Sequence, residues 1–234
     1  MRKLLLALAL CCTTLYAVSQ DCKSYFLLLN NAEVEMTVYD GKGVVTAINK
    51  IKIDEVSNAA GGLQSSLTTT MTDKKGKVMN SGKGKFRCNG DGIDIDMQMA
   101  MPAMPGANKD TKASMKSSES FINYPAKMAE GQSLPDAKFK MEGDASGAPM
   151  SMEYTVTDRK VEGKEDVTSP AGTWSCYKIT FSGSLQMQMM GMKMPPFAIT
   201  GTEWFAPGFG VVKTETTDKR GKAAGSTLIT GLKK

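Results

Sequence analysis

Residues 179–189 read Ile179-Thr180-Phe181-Ser182-Gly183-Ser184-Leu185-Gln186-Met187-Gln188-Met189. Apart from the glycine, apolar side chains fall on every second position. Successive side chains of an extended strand point to opposite faces, so this stretch has one buried face and one wet face. That is the pattern of an antiparallel sheet covered on one side. A helix would need an apolar period near 3.6, which this stretch lacks.

The same alternation recurs on both sides. Val34, Met36 and Val38 share a face between Glu33 and Tyr39, and Ile51 and Ile53 alternate with Lys52 and Asp54. Ile93, Ile95, Met97, Met99 and Met101 oppose Asp94, Asp96 and Gln98, and Tyr154 and Val156 continue the pattern. One turn appears three times: Asp40-Gly41-Lys42-Gly43, Asp73-Lys74-Lys75-Gly76 and Asp218-Lys219-Arg220-Gly221. Aspartate bonds to the backbone that follows it, and glycine takes the left-handed position that closes a bulged hairpin. No Gly-Lys-Ser/Thr follows any of these turns, so they are not phosphate loops. The expected fold is all-β: an antiparallel, strongly curled sheet, either a half-open barrel or a barrel-like sandwich, with little helix. Residues 102–118 are rich in Pro, Gly, Ser and Lys and read as a flexible loop within a single domain spanning 20–234.

The N-terminus reads as a secretory signal. Arg2 and Lys3 precede the apolar run Leu4 to Leu10, and Ala17-Val18-Ser19 offers small residues to a peptidase. Cleavage after Ser19 would remove 19 of 234 residues and lower the net charge from +5 to +3. That charge is too mild for a nucleic-acid partner, and no apolar stretch is long enough to span a membrane. A lipoprotein signal is the rival reading, but Leu10, Cys11 and Asp21 stand where a small residue should precede Cys11, Cys12 or Cys22. The expected product is therefore exported and soluble, with lipidation the minority reading. Three cysteines would remain, Cys22, Cys88 and Cys176, allowing one disulfide and one free thiol. A cross-strand Cys88–Cys176 bridge and two buried thiols are both open.

The chain contains no histidine. Ser-His-Asp and Cys-His catalysis and histidine zinc sites are thereby removed. No cofactor is expected and no catalytic set is found. The 18 methionines are the chemical feature that stands out. Without Met1 there are 17, and nine of these lie at 97–104 and 187–194. Thioether sulfur is soft and selects Cu(I) or Ag(I), so Met97, Met99, Met101, Met187, Met189 and Met192 form a candidate metal set. The plainer reading is packing, or an apolar groove, because these residues continue strand faces. On that reading Met97, Met99, Met101, Met187 and Met189 are candidate ligand contacts, joined by an aromatic platform at Trp204-Phe205.

Several segments together resemble a known family. They are Asp21-Cys22-Lys23-Ser24-Tyr25-Phe26, Asn123-Tyr124-Pro125-Ala126-Lys127-Met128, Ser169-Pro170-Ala171-Gly172-Thr173-Trp174 and Glu203-Trp204-Phe205-Ala206-Pro207-Gly208. With the repeated Asp-Lys-x-Gly-Lys hairpins, these resemble the TapB-like family of exported bacterial proteins, grouped with domains of unknown function. The resemblance implies an all-β curled sheet and a location in the periplasm or outer-membrane periphery of a Gram-negative bacterium, and brings no catalytic residues with it. The methionine-rich strands depart from the family pattern. The function expected is an exported, non-enzymatic envelope protein that binds an apolar ligand, a lipid-like molecule or a protein partner. The alternative is a periplasmic Cu(I)-binding protein.

Overall fold

In the computed structural model the described residues are 22–59, 61–100, 113–117, 119–145 and 148–234. The expected signal segment 1–19, Met101 and most of the expected 102–118 loop lie outside them. Fourteen antiparallel strands form a single sheet. They are β1 (Glu33–Asp40), β2 (Val45–Ala59), β3 (Gly62–Asp73), β4 (Val78–Cys88), β5 (Gly92–Asp96), β6 (Ala113–Ser117), β7 (Phe121–Pro125), β8 (Ala137–Ala145), β9 (Ala148–Ser169), β10 (Gly172–Met189), β11 (Met192–Lys193), β12 (Phe197–Ala206), β13 (Gly210–Asp218) and β14 (Ala223–Lys233). Among the described residues helix is limited to one turn, α1 (Met97–Ala100), and two 3-10 turns, Cys22–Ser24 and Phe26–Leu28. Strand Ala113–Ser117 occupies the end of the stretch read as loop.

The strands run in the order β6-β8-β9-β10-β12-β13-β14-β1-β2-β3-β4-β5-β7, with β11 beside β10. The first and last strands of the chain therefore pair in the middle of the sheet. The sheet curls until its two ends meet. Ser120, just before β7, donates its hydroxyl to the Lys138 carbonyl of β8. Arg159 of β9 donates to the Asn123 carbonyl of β7 at 2.9 Å. The result is an antiparallel, nearly closed barrel, as the alternation predicts. Its inner face supplies one core, with Ile53, Leu67, Phe86, Phe139, Val161, Ile179, Phe205, Val212 and Ile229 almost wholly buried.

The three Asp-Gly turns form as read. Asp40, Asp73 and Asp218 each accept two backbone N–H groups on one carboxylate oxygen at 2.8–3.0 Å. Gly43, Gly76 and Gly221 take φ of 77°, 79° and 75°, which a side chain would strain.

Two expectations are corrected. The run from Ile93 to Met101 is not one strand: β5 stops at Asp96, whose carboxylate accepts the Gln98 N–H at 3.0 Å. A short side chain that bonds its own backbone caps a helical turn in preference to continuing a ladder. The Cys88–Cys176 bridge is also absent. Cys88 pairs with Cys22, at a Cα–Cα distance of 5.6 Å, and Cys176 is a buried free thiol. Cys22 stands beside the end of β4 because Tyr25 anchors the N-terminal turns in the core, fully buried and 5.5 Å from the Phe86 ring.

Candidate functional site

The register between strands gathers methionines that are far apart in sequence. Met150 of β9 pairs with Met189 of β10, and Met189 pairs with Met192 of β11. In the next row inward, Met141 of β8 pairs with Met152, and Met152 pairs with Met187. The Met194 N–H donates to the Met187 carbonyl at 2.9 Å and extends that row. Directly paired residues, and residues two apart on one strand, project from the same face. Met141, Met150, Met152, Met187, Met189 and Met192 therefore share one face at one end of the sheet.

This array runs from core to solvent. Met152 is 2% exposed, Met141, Met150 and Met187 are half-buried, and Met192 is 70% exposed. Met190, Met194 and Phe197 are exposed as well. The β10–β11 turn is formed by Met190 and Gly191, both with positive φ (51° and 80°). Tight hairpins place Asn, Asp or Gly at such positions. A methionine there costs of order 1 kcal/mol in backbone strain and displays its thioether to solvent. Gln186 fixes the following segment by donating its amide to the Met187 and Met194 carbonyls at 3.0 and 2.6 Å.

The remaining predicted site residues lie elsewhere. Met97 is fully buried in α1, where its sulfur lies 3.5 Å from the Ser120 hydroxyl oxygen. Met99 is half-buried against the core, in space left by Gly84, where a Cβ would lie 3.0 Å from Met99 Cγ. Neither pairs with the β9–β10 methionines. The Trp204-Phe205 platform is buried. Trp204 is 4% exposed, beneath the Lys178 and Lys213 ammonium groups at 5.7 and 4.2 Å, and its indole N–H donates to the Glu165 carboxylate. Long lysine stems cover apolar surface while their charges stay wet. Phe205 stacks on Tyr124 at 4.6 Å inside the core.

One buried polar cluster escapes any reading by periodicity. Arg159 donates to the Asn123 and Pro135 carbonyls at 2.9 and 3.1 Å and faces Glu203 at 3.4 Å. The Tyr124 hydroxyl donates to the other Glu203 oxygen at 2.9 Å. Burial pushes the Glu203 carboxyl above its ordinary range, against the pull of Arg159. Burial likewise pushes Tyr124 well up. These buried groups tie β7, β9 and β12 together and brace the barrel. Among the described residues no three His, Cys, Asp or Glu side chains gather as a metal site, and no helix is long and apolar enough to cross a membrane.

The sequence carried a signal for part of the array that went unread. Met150-Ser151-Met152 is itself an alternating pair, but only the long-range register shows which strands flank it.

Two solved structures share the architecture. One is a Bacteroides fragilis protein described as exported, with a YmcC-like fold: TM-score 0.73 and 22% identity, over 90% of this chain and 99% of that one. The other is a Parabacteroides distasonis protein described as a lipoprotein: TM-score 0.75 and 24% identity, over 92% of this chain and 100% of that one. At such identity the likeness establishes the fold alone. No curated protein sequence matches the chain. A family match covers residues 31–229 and gives no support to the narrower TapB-like designation. On that match, which spans nearly the whole described sheet, the chain belongs to the DUF3108-like family.

Proposed function

We propose that the protein is an exported, non-enzymatic binding protein of the bacterial envelope, and that it seats a lipid-like apolar ligand on the methionine array. The observation that carries this reading is the stretch 189–197. It exposes Met189, Met192, Met194 and Phe197 on a face continuous with the buried Met152, with Met190 exposed in the turn beside them. Solvent-exposed large apolar side chains are common singly, but a contiguous group marks a contact surface. Unbranched, polarizable methionines adapt to an irregular apolar partner, as a rigid aliphatic surface does not.

Export is supported by three features. Arg2, Lys3 and the Leu4–Leu10 run form a signal-like N-terminus. The Cys22–Cys88 bridge belongs to an oxidising compartment. Both structural neighbours are described as exported or as a lipoprotein. A binding role is supported by where the perturbed ionisable groups lie: Glu203 and Tyr124 are enclosed within the core.

Titration of the delipidated protein with a fluorescent fatty-acid analogue tests the reading. Saturable binding is expected, and it should weaken about tenfold or more in the Met192→Lys/Met194→Lys variant. A Val44→Lys/Met79→Lys control, at exposed apolar positions outside the array, should bind as wild type. Absence of saturable binding in the wild type, or equal affinity in the first variant, would overturn it.

A further inference from the structure

We infer that Met150, Met189 and Met192 form a thioether site for a soft monovalent ion, Cu(I) or Ag(I). The inference rests on the reading of the methionine array as the binding surface and names a second class of ligand for it. The three residues occupy one register row across three consecutive strands, with Met189 between the other two. Cβ atoms of directly paired residues lie about 4.5–5.5 Å apart. Each thioether reaches several bonds beyond its Cβ through freely rotating torsions, so three sulfurs can meet around one ion. Three is the number that a trigonal Cu(I) site uses.

The chemistry of the surroundings selects the ion. On the β8 side the row continues into Gly143, which has no side chain and so adds no donor. Glu142 and Asp144 flank Gly143, and Glu153 follows Met152 of the inner row, so their carboxylates stand on the opposite face. The row therefore presents neutral soft donors without hard oxygen ligands, which disfavours Ca²⁺, Mg²⁺ and Zn²⁺. The inner row of Met152, Met187 and Met194 supplies an apolar floor and further donors. The Met190-Gly191 turn holds Met189 and Met192 side by side. This set differs from the one read off the sequence. Met97 is in the core and Met99 half-buried against it, both in α1 and outside the register row, and Met150 replaces them.

The test uses the full exported chain carrying Cys176→Ser, so that the buried thiol cannot compete. Isothermal titration with Ag(I) in chloride-free buffer should show one saturable site. The Met150→Leu/Met189→Leu/Met192→Leu variant should weaken it about 100-fold or more, since leucine keeps the apolar volume and removes the donors. Titration of the wild type with the fatty-acid analogue runs beside it as a separate arm. In the wild type labelled with [methyl-13C]methionine, Ag(I) should shift the Met150, Met189 and Met192 methyls and leave Met36, Met71 and Met79 in place. The inference is overturned if wild type binds no Ag(I), if the leucine variant retains the affinity, or if the shifts fall outside the row. Failure of the fatty-acid arm alone would count against the apolar-ligand reading and leave the metal site standing.

Discussion

Replacing Cys22 and Cys88 together by alanine should destabilise the protein by about 4 kcal/mol. The bridge closes a segment with a sequence separation of 66. Chain-entropy arithmetic for a loop of that length gives about 4 kcal/mol at 25 °C, between the values for short and very long loops. In a chain of this size each kcal/mol moves the thermal midpoint by about 2–4 °C, so the midpoint should fall by about 8–16 °C. The loss should not be uniform. The bridge ties the N-terminal turns, with Tyr25, Leu27 and Leu28 buried, to the end of β4. Without it, that segment should open first and expose Phe86, against which Tyr25 packs. Urea unfolding followed by fluorescence of Trp174 and Trp204 measures the global loss, and amide exchange of residues 25–32 measures the local one. Disulfide mapping of the wild type should link the Cys22 and Cys88 peptides. A double variant within about 1 kcal/mol of wild type, or a map joining Cys88 to Cys176, would refute the reasoning.

Three further outcomes are expected. Arg159→Met should cost about 3–5 kcal/mol, because it strands Glu203 in the core, and Glu203→Leu in the same chain should recover part of the loss in urea unfolding. The folded Glu203 carboxyl already lies above its ordinary value. Its favourable contribution is therefore present below the unfolded pKa and is lost as pH rises through the folded one, so the Arg159→Met deficit should be larger at pH 8 than at pH 5. Burial pushes the Cys176 thiol up to about 12. Its reaction with Ellman's reagent at pH 8 should therefore follow unfolding and stay silent in the native state, and rapid native labelling would contradict its burial. Gly76→Ala should cost about 1 kcal/mol in thermal unfolding, since φ at that position is 79°, while Gly82→Ala should lack this backbone penalty.

The sheet was legible because its cause is local. Alternation at Ile179–Leu185 follows from which face each residue must present, and it survived in the structure; in β1 a bulge between Glu35 and Met36 breaks it, and Val34 and Thr37 are the buried residues there. The Asp-Gly turns were legible for the same reason: Asp40 and Gly43 satisfy their own geometry within five residues. What the sequence hid depends on distance or on competition. The pairing of Met150 with Met189 follows from register across a hairpin, and no local pattern reports it. The partner of Cys88 was hidden because Cys22 lies in an irregular turn positioned by Tyr25. Met97 left the strand because Asp96 bonds its own backbone, a local competitor to the ladder that hydrophobic period does not register. Trp204 beside its turn read either as a plug of the β core or as an exposed platform, and it is buried, with Lys178 and Lys213 of neighbouring strands over it. The Arg159–Glu203 pair was missed because charged residues on strands ordinarily face water, and here three strands close over them.

The central claim is that the methionine face of β9, β10 and β11 is the surface the protein works with. Titrating [methyl-13C]methionine protein with the fatty-acid analogue tests it most directly. Saturable shifts should be confined to Met150, Met187, Met189, Met190, Met192 and Met194. Met97 and Met128, buried in the core, and Met36, Met71 and Met79, on β1, β3 and β4, should stay in place. Shifts centred on Met36, Met71 or Met79, or no shift at saturating probe, would contradict it.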